Sequence, residues 1–323
     1  MAYELSNRLV VGLSSSALFD LSESDAIFRT QGEQAYRQYQ RENQDNTLDK
    51  GVAYPFIRRL LKLNELSPDA NDPLVEVILL SKNDPDTGLR VMNSIESYGL
   101  PITRAIFLQG HSPHKYISAL DIELFLSASK EDIDNAVAAG LPAGRILKGE
   151  MTDDADDEQL RIAFDFDGVI IDDEAESIFK KEQLEGFHSH ESAHVDTPHK
   201  PGPLKNFLER ISYIQSLEEA KIEQNPDYEP ILRVSIVTAR NAPAHKRMIN
   251  TLRNWDISAN EAFFMGGIDK SKVLNVLKPH IFFDDQEVHL KSLKVPSVHI
   301  PFGIANQPFI KQQVVKPIEK IAE

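Results

Sequence analysis

The sequence predicts an α/β protein built from two parallel-sheet halves, because its length, hydrophobic content and alternating pattern all agree with that class. Short apolar runs alternate with helical patterns through residue 150, and the alternation resumes after an acidic segment at 151–159. Strand, helix and strand in this rhythm are typical of a mainly parallel sheet covered by helices. The 323 residues are 41% hydrophobic, which is enough for two packed domains. We therefore predict one domain at 1–150 and a second at 151–323.

The strands of the first half are predicted from four apolar runs. In order, these runs read LVVGL, VEVILL, ITRAIFL and IELFLSA. The segment MTDDADDEQ at 151–159 follows, and its charge predicts a solvated linker. The second half begins with the strand LRIAF, continues through a long polar and helical stretch to LRVSIVT, and ends with the strand HIFF. β-branched and aromatic residues are frequent in these runs, as is typical of strands.

The two halves also resemble each other at a constant spacing, which indicates an internal duplication. Thr238 lies 157 residues after Ser81, whereas Asp165 lies 151 residues after Ser14. An insertion of six residues in the second copy, placed around 225–230, reconciles the two values. Any two α/β halves share some strand spacing, but the sustained offset favours duplication.

Composition excludes several classes of function. Cysteine is absent, which excludes disulfides, thiolate zinc sites and cysteine nucleophiles. A net charge of −15 argues against binding along a nucleic-acid backbone, which needs a basic face. The apolar run at 9–13 is too short for a membrane span or a secretory segment and lacks a basic flank. We therefore expect a cytoplasmic protein that binds neither nucleic acid nor membranes.

The strongest functional signal is a pair of aspartates at the end of the predicted strand LRIAF. The strand runs directly into Asp165, Phe166, Asp167 and Gly168. Open α/β sheets place their ligands at the carboxyl ends of the strands, and the glycine allows a tight turn there. One carboxylate can attack phosphorus while the other transfers a proton. Aspartates that cap a following turn or helix are the alternative at this point.

Later strand ends carry a hydroxyl and a second acid pair, with two lysines between them. In chain order these residues are Thr238, Ala239, Arg240, Lys270, Lys272, Asp284 and Asp285. The order of acid pair, hydroxyl, lysine and acid pair resembles the four-motif signature of the haloacid dehalogenase-like hydrolases. The spacing of 14 residues between Lys270 and Asp284 matches that family and favours Lys270, although Lys272 lies on the same turn.

The resemblance implies a Mg²⁺ cofactor and a role for each aspartate. Asp165 is implied as the nucleophile that forms an aspartyl-phosphate and as a metal ligand. Asp167 is implied as the general acid and then the general base, and its backbone carbonyl is implied to complete the metal shell. Asp284 and Asp285 would supply or orient the remaining metal ligand.

The same resemblance implies how the phosphate group is held. Thr238 and the amide of Ala239 would bind phosphate oxygens, and Lys270 would neutralise the transferred group. Arg240 is a candidate substrate contact, and a surface position at the start of a helix is its alternative.

Taken whole, the sequence resembles the cytosolic 5′-nucleotidase I family nearly from end to end. The segments that carry the resemblance are SSSALFDL, QGEQAYRQYQ, YPFIRRL, SHESAH, GPLKNFLE, IVTARNAPA and LKPHIFFDDQ. The resemblance implies two Rossmann-like halves, of which the second is haloacid dehalogenase-like with a small cap at about 173–232. It also implies Mg²⁺-dependent hydrolysis of AMP-like nucleoside 5′-monophosphates, with dAMP or IMP as further candidates, and a homo-oligomer. The family's acid motif often reads Asp-Gly-Asp-Ala, so the sequence Asp165-Phe166-Asp167-Gly168 leaves base preference open.

Four histidines fall in the predicted cap and have two functional interpretations. They are His188, His190, His194 and His199. Imidazoles at short spacing can share a zinc ion, but no carboxylate–histidine motif of known zinc spacing accompanies them. The match of SHESAH to the family favours His190 and His194 as residues of the nucleotide pocket, with solvated surface histidines as the alternative.

The first half lacks the reactive residues and is predicted to be catalytically silent. Under the duplication, Ser14, Ser16 and Ser127 stand at the positions of three aspartates of the second half. Neutral hydroxyls are poor ligands for a hard dication. The segments SSSALFDL at 14–21 and HSPHKY at 111–116 are expected to close over substrate or to form a subunit contact.

Two other functions are compatible with this fold. A phosphatase of another small phosphorylated metabolite would keep all four motifs and differ only in the cap. A nucleotide-sensing binding protein would keep the fold but lose Asp165 or Asp167, and both are present. Hydrolysis of nucleoside monophosphates is therefore the predicted activity.

Overall fold

The sequence folds into a single α/β sheet structure. The computed structural model describes residues 3–69, 71–147, 149 and 153–306. Within these residues a mostly parallel sheet is covered by helices, which confirms the predicted α/β class. The predicted domain boundary at 150/151, the first two residues of the acidic segment and residues 307–323 lie outside the described part of the chain.

In the described part of the chain, ten strands form one continuous sheet. In chain order they are β1 (Leu9–Leu13), β2 (Val75–Ser81), β3 (Arg104–Phe107), β4 (Leu124–Ser127), β5 (Ala143–Ile146), β6 (Leu160–Phe164), β7 (Leu232–Thr238), β8 (Glu261–Phe264), β9 (Ile281–Asp284) and β10 (Ser297–His299). Their order across the sheet is β3-β2-β1-β4-β5-β10-β9-β6-β7-β8. The neighbouring strands run parallel except β5 and β10, which run antiparallel.

Amphipathic helices connect the strands. They are α1 (Ser15–Leu18), α2 (Ser22–Glu42), α3 (Tyr54–Lys62), α4 (Leu89–Ser97), α5 (His114–Ile117), α6 (Lys130–Ala138), α7 (Glu174–Ala193), α8 (Lys205–Gln224), α9 (His245–Asn254), α10 (Ser271–Leu277) and α11 (Glu287–Leu290). In α3, a proline in the first turn suits a helix start, and the buried residues Phe56, Ile57, Leu60 and Leu61 recur at helical spacing. Across the described residues, no helix is both long and apolar enough to cross a membrane.

The strand order is the same in the two halves, as the duplication predicts. The halves meet at the antiparallel pair β5–β10, which we call the seam. Outward from the seam, the first half has the order β5, β4, β1, β2, β3 and the second half has the corresponding order β10, β9, β6, β7, β8. At the seam, Arg145 pairs with His299 and Ile146 with Val298. The predicted halves therefore share one sheet, and the duplication itself stays an interpretation of this agreement.

The antiparallel seam has a consequence for the first half. Because β5 and β10 run in opposite directions, the carboxyl ends of the two sets of strands lie at opposite edges of the sheet. The segments at 14–21 and 111–116 follow β1 and β3 and so lie at the edge away from Asp165. The expectation that they close over substrate in the same chain is wrong, and a role in a subunit contact stays a prediction.

Helices α2 and α7 share an irregularity that supports their equivalence. Each helix is interrupted once, at Gly32 in α2 and at Gln183 in α7, and these positions lie 151 residues apart. The ring contacts also correspond at this spacing: Phe28 lies edge-on to Tyr36, and Phe179 lies edge-on to Phe187. The first long helix of each half is therefore built on one plan.

Helix α8 packs on the sheet and forms no cap. The ring of Phe207 lies 6.1 Å from that of Phe164 and 6.0 Å from that of Phe283, both on strands of the sheet. Helix α8 begins 151 residues after α3, whereas β7 begins 157 residues after β2. The six additional residues therefore lengthen α8 and do not form the loop at 225–230. In the predicted cap at 173–232, α7 is the helix that contacts the residues after β7, through Glu191 to Arg240 and through His188 to Asn241. Its function as a cap stays a prediction.

One apolar core spans the two halves and also anchors the acidic segment. The ring of Phe56 in α3 lies 6.4 Å from the ring of Phe283 in β9. One turn along α3, the fully buried Arg59 donates hydrogen bonds to Asp153 Oδ1 at 2.8 Å and to the Asp157 carbonyl at 2.9 Å. The prediction of a solvated linker is thus wrong for Asp153, because a buried guanidinium requires a carboxylate partner.

The outermost strands of the described sheet each carry a cross-strand ion pair. On β3, Arg104 Nη1 lies 2.5 Å from Glu76 Oε1 of β2. On β8, Glu261 pairs with Arg233 of β7. The two pairs are 157 residues apart with the charges exchanged, and both outer strands are half-exposed.

Candidate active site

The predicted catalytic residues meet at one edge of the sheet. Asp165 directly follows β6, Thr238 is the last residue of β7, and Asp284 is the last residue of β9. These three strands are parallel neighbours, so their carboxyl ends coincide. Gly168 has a φ of 71°, and a Cβ there would lie 2.6 Å from Asp285 Oδ2. Glycine is therefore required both for the turn and for the approach of Asp285.

Lys270 lies between two of the aspartates. Its Nζ is 2.7 Å from Asp165 Oδ2 and 2.7 Å from Asp284 Oδ2, and its side chain is only 6% exposed. Lys272 is exposed. The structure therefore places Lys270, and not Lys272, beside the carboxylate that is the candidate nucleophile.

Asp285 is a buried carboxylate without a hydrogen-bond partner. Both of its side-chain oxygens are buried and unpaired among the described residues. Burial, followed by the charges of Asp165 and Asp284, raises the pKa of Asp285 to about 9. Such a group is costly unless a cation compensates its charge.

The same crowding affects Asp165 and Asp284. Burial raises the pKa of Asp165 to about 7, with Asp284 and Asp167 adding to the rise and Lys270 opposing it. Burial would also raise the pKa of Asp284, but Lys270 and His289 lower it overall. Asp165, Asp284 and His289 each offer one ligand atom, and these atoms lie within 4.8 Å of one another. This oxygen-rich cluster with the unpaired Asp285 fits a hard divalent cation.

The phosphate-binding candidates lie next to this cluster. Thr238 is buried, and its hydroxyl oxygen accepts a hydrogen bond of 3.2 Å from the backbone amide of Arg240. Ala239 between them is exposed at the strand end. This short bend turns the chain at the edge where Asp165 and Lys270 also lie.

The guanidinium of Arg240 binds Asp167. Its Nε donates to Asp167 Oδ2 at 2.8 Å and its Nη2 donates to Asp167 Oδ1 at 2.7 Å. The side chain is 2% exposed, which excludes the surface position considered for it. Arg240 also pairs with Glu191. Its donors are directed at Asp167, Glu191 and His199, so its predicted contact with substrate stays a prediction.

A buried ionic cluster behind Arg240 was missed by the sequence analysis. Glu191 is fully buried and pairs with Arg240 through one oxygen and with Arg247 Nη1 through the other, at 2.8 Å. Burial alone would raise the pKa of Glu191, but His199 and Arg240 lower it overall. The available signal was an acid in the middle of the SHESAH segment, between histidines that attracted attention first.

His199 is enclosed by three polar groups of the cluster. Its Nδ1 lies 2.9 Å from the Thr251 hydroxyl oxygen. Its Nε2 lies 3.1 Å from Glu191 Oε2 and 3.1 Å from Arg240 Nη2. Burial lowers the pKa of His199, which agrees with a neutral ring. His199 is therefore a buried part of the cluster.

The other histidines of the predicted cap lie in different environments. The rings of His190 and His194 have centroids 4.3 Å apart and are tilted by 32° to each other, and His194 is exposed. His188 Nε2 lies 2.8 Å from Asn241 Oδ1. Within the described residues, the acidic and histidine groups that could share a metal ion are Asp165, Asp284 and His289. The zinc interpretation thus has no support here, and the assignment of His190 and His194 to a nucleotide pocket stays a prediction.

Fold and site together define a class of enzyme. Carboxylates bridged by one buried lysine at the carboxyl edge of a parallel sheet are suited to hydrolysis of phosphate esters. The chain belongs to the 5′-nucleotidase family, whose family model matches residues 1–307. This match confirms the resemblance to the 5′-nucleotidase family that the sequence segments indicated. It also confirms, at the level of the family, that the chain is a hydrolase.

One curated relative extends this comparison. The chain is 34% identical to human cytosolic 5′-nucleotidase 1B over 290 residues, which is 88% of this chain and 47% of the human protein. The chain thus spans about half the length of that relative. No solved structure gave a significant match.

Proposed function

We propose that this chain is a Mg²⁺-dependent 5′-nucleotidase that hydrolyses AMP-like nucleoside 5′-monophosphates, with dAMP and IMP as further substrates. The observation that carries the proposal is the position of Lys270 Nζ, 2.7 Å from both Asp165 and Asp284, in a chain of the 5′-nucleotidase family. Lys270 supplies positive charge where an anionic ester must approach an anionic carboxylate.

The first half of the reaction transfers the phosphoryl group to Asp165. A carboxylate oxygen of Asp165 attacks phosphorus, the bond between phosphorus and the 5′ oxygen breaks, and Asp167 donates a proton to the leaving oxygen. Thr238, the amide of Ala239 and Lys270 hold the phosphate oxygens during this step.

The second half releases phosphate and restores the enzyme. Asp167 accepts a proton from water, the water oxygen attacks phosphorus, and the bond from phosphorus to Asp165 breaks. Asp167 is 24% exposed, which leaves it accessible to both the leaving oxygen and the water.

The cation site proposed for this reaction is the acidic cluster. Asp165, Asp284 and Asp285 would hold Mg²⁺ together with the backbone carbonyl of Asp167. Two observations support this assignment: ligand atoms of Asp165 and Asp284 lie within 4.8 Å of each other, and both side-chain oxygens of Asp285 are buried and unpaired among the described residues. When bound, Mg²⁺ supplies charge that neutralises the carboxylate nucleophile and the phosphate.

The remaining assignments concern the substrate and the cell. His190 and His194 are proposed to contact the nucleoside, since they lie at the end of α7, whose Phe187 and His188 border Arg240 and Asn241. The name of the human relative supports a cytosolic location for this chain too. We further propose a homo-oligomer that binds neither nucleic acid nor membranes, consistent with the net charge of −15.

A substrate panel tests the function. Phosphate release is measured from AMP, dAMP, IMP, sugar phosphates and p-nitrophenyl phosphate, each with Mg²⁺ and with EDTA. We expect Mg²⁺-dependent release that is fastest on nucleotides, and no release by Asp165→Asn, because an amide cannot attack phosphorus. Faster release from sugar phosphates would identify a different metabolite phosphatase, and nucleotide binding without release would identify a sensing protein.

A further inference from the structure

We propose that Glu191 is a positioning residue for the general acid: it holds Arg240, and Arg240 holds the carboxylate of Asp167 for proton transfer. This inference rests on the proposed function and adds a group that does not itself touch substrate. Glu191 lies 24 residues beyond Asp167 in the chain and reaches it only through the guanidinium of Arg240.

The chain of contacts has a fixed geometry. Arg240 binds both oxygens of Asp167 through Nε and Nη2, so the plane of the carboxylate follows the plane of the guanidinium. The remaining terminal nitrogen, Nη1, binds Glu191. A displaced guanidinium would therefore displace both oxygens of Asp167 together.

Two aromatic rings limit the guanidinium further. Its central carbon lies 5.2 Å from the ring centroid of Phe166 and 5.4 Å from that of Phe187. Arg240 thus lies near two rings, with Asp167 at one side and Glu191 at the other. Glu191 is itself fixed, because Arg247 binds its second oxygen at 2.8 Å.

The first half of the chain provides an internal comparison. Gln40 precedes Glu191 by 151 residues, and Arg90 precedes Arg247 by 157 residues, the two offsets of the duplication. Gln40 Oε1 accepts a hydrogen bond from Arg90 Nη1 at 3.4 Å, in buried surroundings. The link between these helices therefore exists in the half that lacks catalytic aspartates, and there a neutral amide is sufficient for it.

The first half lacks the charged residues that connect this helix link to the edge of the sheet in the second half. At the positions of Arg240, His199 and Asp167 it has three residues that carry no charge: Asn83, Leu48 and Ser16. If the carboxylate at 191 served only to join the helices, glutamine would serve equally well. Instead, the negative charge at position 191 occurs in the half that also has Arg240 and Asp167. This pattern indicates that the charge of Glu191 serves to position Asp167.

The variant Glu191→Gln tests this assignment, since it installs the residue that the first half carries. We expect kcat on AMP to fall by about 10- to 100-fold with KM little changed, as part of the contribution of the general acid is lost. On p-nitrophenyl phosphate, whose leaving group needs no proton, the loss should be severalfold smaller. Gln40→Ala is the matched control and should lower the melting temperature without altering the ratio of the two rates.

A structural readout completes the experiment. In crystals of Glu191→Gln, the guanidinium of Arg240 should move from its position beside Phe166 and Phe187, and the Asp167 carboxylate should move with it. An equal loss of kcat on both substrates, or an Asp167 carboxylate in its wild-type position, would overturn the inference. If Glu191→Gln fails to fold, Arg240→Lys retains the charge, removes the fork and should give the same dependence on leaving group. A wild-type protein without phosphatase activity would refute the proposed function, while the crystal comparison would still decide the role of Glu191.

Discussion

Lys270 is the residue whose substitution tests the candidate site most directly, because it contacts both Asp165 and Asp284. Lys270→Met should lower kcat on a nucleotide by more than about 100-fold, because one cation then no longer offsets two buried carboxylates and the incoming phosphate. Lys272→Met, two residues away at an exposed position, is the matched control and should retain wild-type activity. Initial rates at saturating substrate, with melting curves for both variants, measure the effect. Comparable rates for the two variants would contradict the assignment.

Asp285 allows a prediction about stability. Its carboxylate is buried, unpaired and close to two others, so in EDTA the variant Asp285→Asn should gain about 1–3 kcal/mol in free energy of unfolding. Mg²⁺ should stabilise the wild type and have much less effect on the variant, since a ligand is missing. Denaturant melts with and without Mg²⁺ measure both effects. A variant less stable than the wild type in EDTA would contradict the role assigned to this residue.

At the scale of elements, His280 joins the start of β9 to β6. The Arg161 amide donates to His280 Nδ1 at 3.0 Å, and the His280 amide donates to the Arg161 carbonyl at 2.8 Å. Burial, followed by the charges of Arg59 and Arg161, lowers the pKa of His280 from 6.5 to about 3. Between these values the unfolded chain takes up a proton that the folded protein does not, so stability falls as pH drops through this range.

The variant His280→Asn tests this linkage, because its side-chain oxygen can still accept from the Arg161 amide. At pH 5 the wild type should have lost about 2 kcal/mol of stability through His280, relative to neutral pH. The variant should lack this part of the loss. Denaturant midpoints measured across the acid range give the comparison, and parallel curves for the two proteins would contradict it.

The elements also show which parts of the fold the sequence determines locally. The apolar strands β1, β2, β6 and β7, which have five to seven residues each, were predicted because burial on both faces leaves a continuous hydrophobic run. The seam strands β5 and β10 have only four and three residues, and their antiparallel pairing depends on residues far apart in sequence. Because β5 reads AGRI and β10 reads SVH, neither is a continuous apolar run that would predict a strand locally.

In the candidate site too, some residues were predictable from the local sequence and others depend on contacts between distant parts of the chain. Asp165, Thr238 and Asp284 were predictable because each ends an apolar strand, a signal that the local sequence contains. The contact of Arg240 with Glu191 joins residues 49 positions apart and depends on how α7 lies against β7. No local pattern encodes such a contact, which is why Glu191 was missed and why Arg240 was assigned to substrate.

At the scale of the whole molecule, the continuous sheet predicts a single unfolding transition. The halves share the β5–β10 ladder, and Arg210 of α8 donates to Glu123 at 3.1 Å and to the Ser6 carbonyl at 2.6 Å, both in the first half. Calorimetry should show one cooperative transition. Fragments 1–150 and 151–323 expressed separately should be less structured by circular dichroism than the intact chain. Two resolved transitions, or two fragments that fold alone, would support independent domains instead.

The ion pairs on the outermost strands bear on how crowded copies of this protein behave. A half-exposed outer strand offers unpaired backbone groups to any strand that approaches it, and charged side chains placed there make such an approach unfavourable. The pairs Glu76–Arg104 and Arg233–Glu261 put one cation and one anion at each end of the sheet. Because each pair contains one cation and one anion, this protection adds nothing to the net charge. Both outer edges of the described sheet therefore carry the same kind of protection against edge-to-edge pairing, whereas the candidate catalytic carboxylates are in the second half.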